Sequence, residues 1–146
     1  MSLKVSITGA KEIDAVLRGM PLLLADRVLA QAHTDAAFPL VSKAHLLAPV
    51  GKTGNLADSI GVVRAGISRG GNVGQVSVGP RRGGAYRGYH GHLIEYGKTN
   101  RDGTKTQAKP FMAPAYESTK NEVEKGIADN IGKRLNAFMK RTLRNA

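Results

Sequence analysis

Fourteen of the eighteen glycines lie between Gly51 and Gly103, and this clustering constrains the fold more than any other feature. Glycine costs a helix about 1 kcal/mol per residue relative to alanine, so a glycine-rich middle reads as turns and short strands. The flanks read differently. Ile13, Val16, Leu17 and Met20 follow helical spacing, and after Gly19 and Pro21 a second apolar stripe runs through Val28, Leu29, Ala32, Ala36, Leu40 and Ala44. Pro39 lies inside that stripe and predicts a bend near Phe38, because its ring blocks a helix interior. Alanines 32, 36 and 44 would let another helix approach closely.

From Pro114 a helical pattern returns through Val123, Ile127, Ile131, Leu135, Phe138 and Met139, with Pro114 in the first turn and Glu117 near the positive helix start. Gly126 and Gly132 mark either close packing or a local break in that helix. Ahead of the first helix, Leu3, Val5 and Ile7 alternate with polar residues, the period of a half-buried strand. In the middle, Ile60 to Ile67, a turn over Ser68 to Asn72, and Val73 to Val78 read as a β-hairpin. Tyr89, Leu93 and Tyr96 read as one face of a short helix over 89–96. Asn100 to Lys109 has no apolar residue except Ala108 and reads as part of a flexible loop around 98–109. The expected class is α+β: a small antiparallel sheet packed with a long N-terminal helix and a long C-terminal helix. At 146 residues, one domain is the first expectation.

With no Trp, four Tyr and three Phe, the core must be built from Leu, Val, Ile and Ala. The absence of cysteine excludes disulfides and thiolate metal sites. The opening residues lack a signal-peptide pattern, and no apolar run is long enough to cross a bilayer, so we expect a soluble chain folded in the cytoplasm, with no membrane partner.

The net charge of +11 is concentrated in the middle of the chain. Residues 1–63 carry six basic and five acidic side chains, residues 64–109 nine and two, and residues 110–146 seven and four. Arg81, Arg82 and Arg87 sit among glycines, and Lys98, Arg101, Lys105 and Lys109 follow on a polar segment. These are the candidate residues for facing DNA or a partner, since such a field attracts phosphate without reading sequence.

Catalytic patterns fail on inspection. Gly51-Lys52-Thr53 resembles the end of a phosphate-binding loop, but the required first glycine is replaced by Leu46, and Thr53 reads as a turn or helix-cap residue. His90 and His92 lack a third ligand. His33 and His45 fall about 120° apart on a helix of 3.6 residues per turn and share no face. Ser59, His92 and Glu95 have no nucleophile-elbow or triad context. We therefore expect no catalytic residue, no metal and no cofactor. Glu95, one of two acidic residues in the basic middle, reads as the partner of a neighbouring cation.

The order of segments is itself distinctive. A long helix closes at Ala48-Pro49; Thr53-Gly54-Asn55-Leu56, a hairpin and Ile94-Glu95-Tyr96-Gly97 follow; Pro110-Phe111-Met112-Ala113-Pro114-Ala115 opens the last helix. Across residues 10–140 this arrangement resembles the head–tail joining, or tail-completion, family of long-tailed double-stranded DNA phages, typified by the tenth gene product of a lambda-like coliphage. Glu95, Tyr96, Gly97, Pro110, Phe111, Pro114 and Ala115 carry the resemblance. Lys98 departs from it by separating Gly97 from Thr99, where the family joins Gly to Thr.

The resemblance implies a virion protein of the neck or upper tail, without catalytic residues. It would assemble in the host cytoplasm as a homo-oligomeric ring, with six copies a candidate number, against connector, tail-terminator or tail-tube proteins. Nonspecific contact with phage DNA would follow from the basic middle. Physically, Pro110 and Pro114 would fix the start of the last helix and Phe111 would anchor it in the core. The rival reading is a freestanding basic nucleic-acid-binding protein, which oligomerisation distinguishes from a ring subunit.

Overall fold

The computed structural model describes residues 9–145. The strand expected at Leu3–Thr8 lies outside them. The class is α+β, and the chain, for which length suggests one domain, has its described residues arranged as two compact units, the first formed by residues 9–36, 64–76 and 124–145 and the second by 37–63 and 77–123.

In the first unit, α1 (Ala10–Arg18) and α2 (Leu22–Ala36) are joined by the turn at Gly19 and Pro21. Ala25, Ala30, Ala32 and Ala36 are buried, as is Leu135 on the last helix, α6 (Met112–Asn145). Small side chains permit close helix approach. Gly126 supplies the matching recess on α6, since a Cβ there would stand 3.4 Å from that of Ala36. The helix is unbroken at Gly126 and Gly132. Arg134 on α6 donates through Nε to Asp35 at 3.0 Å.

The loop between the hairpin strands also belongs to this unit. Asp26 Oδ1 accepts the Gly74 N–H at 2.7 Å and the Ile67 N–H at 3.4 Å, and His33 Nδ1 bonds the Gly74 carbonyl at 2.7 Å. These bonds explain a difference from expectation. Ile67–Arg69 forms a short 3-10 turn instead of ending a strand, and Val73 precedes its strand, because α2 holds the loop by its backbone.

In the second unit, α3 (Phe38–Leu47) starts after a one-residue break at Ala37, with Pro39 in its first turn. The expected long helix is thus two helices, divided where Pro39 demands it. α3 stops at Ala48, whose extended ψ of 131° suits a residue preceding proline. The unit continues through α4 (Asn55–Ser59), β1 (Ile60–Arg64) and β2 (Val76–Pro80), which pair in a two-stranded sheet. Thr53 lies in the preceding turn, while Gly54 occupies the N-cap of α4 with no side-chain cap.

Two small antiparallel pairs flank α5 (Gly91–Tyr96): β3 (Arg82–Gly83) with β4 (Tyr86–Arg87), and β5 (Lys98–Thr99) with β6 (Lys105–Thr106). The second pair lies within the segment read as a loop around 98–109, with residues 100–104 between its strands. Its polar composition hides strands closed by backbone bonds and by side chains around Thr104, which receives the Asn100 amide at 2.8 Å and donates to Asp102 at 2.7 Å. The core joins Leu40, Ala44, Ala48, Leu56, Ala57, Ile60, Phe111 and Ala115.

Candidate functional site: the Glu95 helix cap and the basic hairpins

A helix begins with four backbone N–H groups that lack an intrahelical acceptor. In α6 these belong to residues 111–114, since the first intrahelical bond runs from the Ala115 N–H to the Phe111 carbonyl at 3.2 Å. The helix has no acidic residue in its own first turn. Glu95, on α5, supplies the carboxylate. One oxygen accepts the N–H groups of Phe111 at 2.7 Å and Met112 at 3.0 Å, and the other accepts that of Ala113 at 3.0 Å. The fourth residue is Pro114, which has no N–H to satisfy. Every orphan donor is accounted for.

This arrangement replaces the expected ion pair of Glu95 with a neighbouring Arg or Lys. Burial raises the pKa of the Glu95 carboxyl, but the three backbone donors outweigh that and leave it below the ordinary glutamate value. Glu117, expected near the helix start, pairs instead with Lys120 at 2.9 Å on the exposed surface.

The neighbouring motif residues have separate tasks. Phe111 and Ala115 are fully buried, whereas Pro110 and Pro114 are exposed at the helix start. Gly97 has φ +73°, and a Cβ would stand 2.6 Å from the Thr106 carbonyl oxygen, so the turn from α5 into β5 requires glycine. Lys98 follows as the first residue of β5. Tyr96 is 82% exposed and Tyr89 58%, while α5 buries Gly91 and Glu95. The helix turns its carboxylate inward because the α6 start is there to receive it.

The basic residues fall into two kinds. Arg81 is half-buried and held: its Nε donates to the Ser59 carbonyl at 3.0 Å, and its guanidinium lies 3.6 Å from the Tyr86 ring centroid. It is thus a held side chain within a glycine-rich stretch. Arg82 and Arg87 are exposed and directly opposite one another across β3 and β4. Residues so paired project to the same face, and like charges there repel. Gly84, at φ +58°, makes the two-residue turn that sets this register.

Lys98 opposes Thr106 and Lys105 opposes Thr99, so the two lysines of the second hairpin project to opposite faces. Arg101 and Lys109 are exposed, and the Lys109 backbone N–H bonds the Ile94 carbonyl at 2.8 Å. A cleft of about 290 Å³ brings Arg82 and His92 together with Val78, Tyr96, Phe111 and Met112.

Two of the three residues weighed for catalysis, Ser59 and Glu95, are engaged elsewhere. The buried Ser59 hydroxyl donates to the Leu56 carbonyl at 2.6 Å, both Glu95 oxygens are held by α6, and His92 is exposed. His45 reaches Asp58 at 4.0 Å on the surface. Among the described residues, no three His, Asp or Glu side chains gather into a metal-binding group, and no helix is long and apolar enough to cross a membrane.

No match is found among curated proteins or among solved structures. A protein-family model described as "Bacteriophage HK97-gp10, putative tail-component" matches residues 12–97. The match ends on the Glu95-Tyr96-Gly97 motif, and the helix start which that motif caps follows just beyond it. Because the matched residues make up more than half of the 146, the chain belongs to the HK97-gp10-like family of bacteriophage tail components.

Proposed function

We propose that this chain is a non-enzymatic structural subunit of the head–tail neck or upper tail, assembling as a closed ring around the DNA passage of the virion. The family match over residues 12–97 carries the reading. Two features of the surface support it. Large apolar side chains stand exposed, with Phe38 at 70%, Leu46 at 78%, Val50 at 77% and Tyr96 at 82%, an excess that subunit contacts would cover. The exposed Arg82–Arg87 pair offers positive charge with no carboxylate bound to it among the described residues, and copies around a ring would pool that charge toward DNA or an acidic partner. A capped, proline-started α6 gives each subunit a fixed scaffold for such contacts.

A closing ring needs a heterologous interface between copies. Electron microscopy of the purified chain, alone and mixed with connector, tail-terminator or tail-tube proteins, tests this. Closed rings are expected. A chain that stays monomeric in every mixture and never enters particles would contradict the proposal.

A further inference from the structure

The first compact unit holds a second gathering of positive charge, apart in sequence from the β3–β4 and β5–β6 pairs. Arg27 on α2, Arg64 at the end of β1 and Arg69 in the 3-10 turn line one cleft of about 330 Å³, with Ser68 beside them. None of the three forms an ion pair among the described residues; Arg64 makes one long bond, 3.4 Å, to the Arg27 carbonyl. The single carboxylate in the lining is Asp26, whose Oδ1 is occupied by the N–H groups of Gly74 and Ile67. Three arginines thus line one cleft against one carboxylate. Such a cluster repels itself unless an anion enters, and guanidinium forks match phosphate oxygens in pairs.

The cleft does not stand alone. Arg27 also lines an adjoining cleft of about 540 Å³ with Arg134 and Arg141. Arg134 is paired with Asp35, which leaves Arg27 and Arg141 as the cations there without a carboxylate. Positive charge therefore continues from Arg64 and Arg69 through Arg27 to Arg141. One phosphate ion would need one cleft. Cations spread over two adjoining clefts suit an anion that repeats, as a nucleic-acid backbone does.

We propose that this face of the first unit grips the phosphate backbone of double-stranded DNA without reading its sequence, with Arg27 as the shared contact and Arg64, Arg69 and Arg141 beside it. The choice of DNA rests on the reading of the chain as a subunit around the DNA passage.

Fluorescence anisotropy of the full chain with a labelled duplex of arbitrary sequence, titrated over a range of salt, is the test. Each lost phosphate contact should reduce the log–log salt slope by about 0.9. Arg27→Gln/Arg64→Gln/Arg69→Gln should lower the slope by about two to three and weaken binding at least ~10-fold at fixed salt. Arg69→Gln alone, whose side chain makes no bond in the described fold, should keep the thermal midpoint and lose about one such step. Arg82→Gln/Arg87→Gln, measured in parallel, separates this face from the hairpin.

If the cleft variants bind as wild type while the hairpin variant weakens, the cleft assignment is overturned and the ring reading stands. A wild-type chain with no salt-dependent DNA binding overturns the assignment outright, while ring formation by the same protein would still uphold the subunit reading. Displacement of the duplex by inorganic phosphate at an ionic strength where chloride leaves it bound would mark a free-phosphate site instead. Loss of association with tail proteins at unchanged DNA affinity would mark a protein interface, and either result overturns the DNA assignment.

Discussion

Glu95 accepts the backbone N–H of Phe111 at 2.7 Å, and the ring of that same Phe111 is fully buried. One residue thus fixes the start of α6 twice, by its backbone to α5 and by its side chain to the core. The geometry couples the Glu95-Tyr96-Gly97 and Pro110–Ala115 motifs into one joint.

Glu95→Gln keeps the shape of the side chain but replaces one accepting oxygen with an amide that donates. The variant should lose about 2–3 kcal/mol of unfolding free energy, the cost of leaving a buried N–H without its charged acceptor. Urea denaturation followed by circular dichroism measures it. An unchanged midpoint would show that the cap contributes nothing.

The same carboxylate makes stability depend on acid. Its folded-state pKa is depressed, because three backbone donors outweigh burial, so its contribution is complete above the unfolded value near 4.3 and is lost as pH falls through the lower folded value. Thermal midpoints of wild type and Glu95→Gln should lie far apart at neutral pH and converge in acid. A constant gap down to the acid limit would rule out this linkage. Comparing the two proteins removes the contributions of Asp35, lowered by its bond to Arg134, and of Asp102, lowered by Thr104.

Phe111→Ala removes the largest of the fully buried side chains from the core beside Leu40, Leu56 and Ile60. The expected loss is about 3–5 kcal/mol, from transfer and cavity terms together. Calorimetry reads it as a large drop in midpoint; a small drop would mean that the neighbouring side chains collapse into the space.

Local pattern reached much of this architecture and stopped where partners are distant. The break ahead of Pro39, the first-turn place of Pro114 and the short helix before Gly97 follow from backbone chemistry that the residues carry with them. The role of Glu95 does not, because its donors lie 16 to 18 residues away and belong to a backbone that reveals nothing of its needs in composition. An acid between Ile94 and Tyr96, followed by a helix without a first-turn acid, was the available signal. Arg81 and Arg82 are indistinguishable as neighbours in a basic run, yet strand geometry holds one against Tyr86 and leaves the other exposed. Residues 98–106 have no apolar alternation to betray a hairpin, since Asn100, Asp102 and Thr104 close it with polar bonds.

That distinction between arginines is measurable. Arg81→Gln loses a stacked cation and a bond to the Ser59 carbonyl, and should cost about 1–2 kcal/mol. Arg82→Gln/Arg87→Gln relieves a like-charge pair and should change stability by less than about 0.5 kcal/mol. Thermal melts of the two variants check the order. Equal losses would contradict the assignment of Arg81 as a strut.

The exposed tyrosine of α5 separates folding from assembly. Tyr96→Ala removes a ring that is 82% exposed, so the thermal midpoint should stay within the range of surface substitutions while ring formation weakens. Sedimentation of the variant against wild type reads both effects at once. Undiminished rings would exclude Tyr96 from the interface.

A tail component that works as a ring at the neck or upper tail has a fixed place in the virion. Cryo-electron microscopy of virions in which the chain carries a small added tag locates it. Tag density should repeat around the tail axis between the head and the upper tail, closed around the DNA passage. Purified infectious particles that lack the chain, or hold it at a single off-axis position, would contradict it.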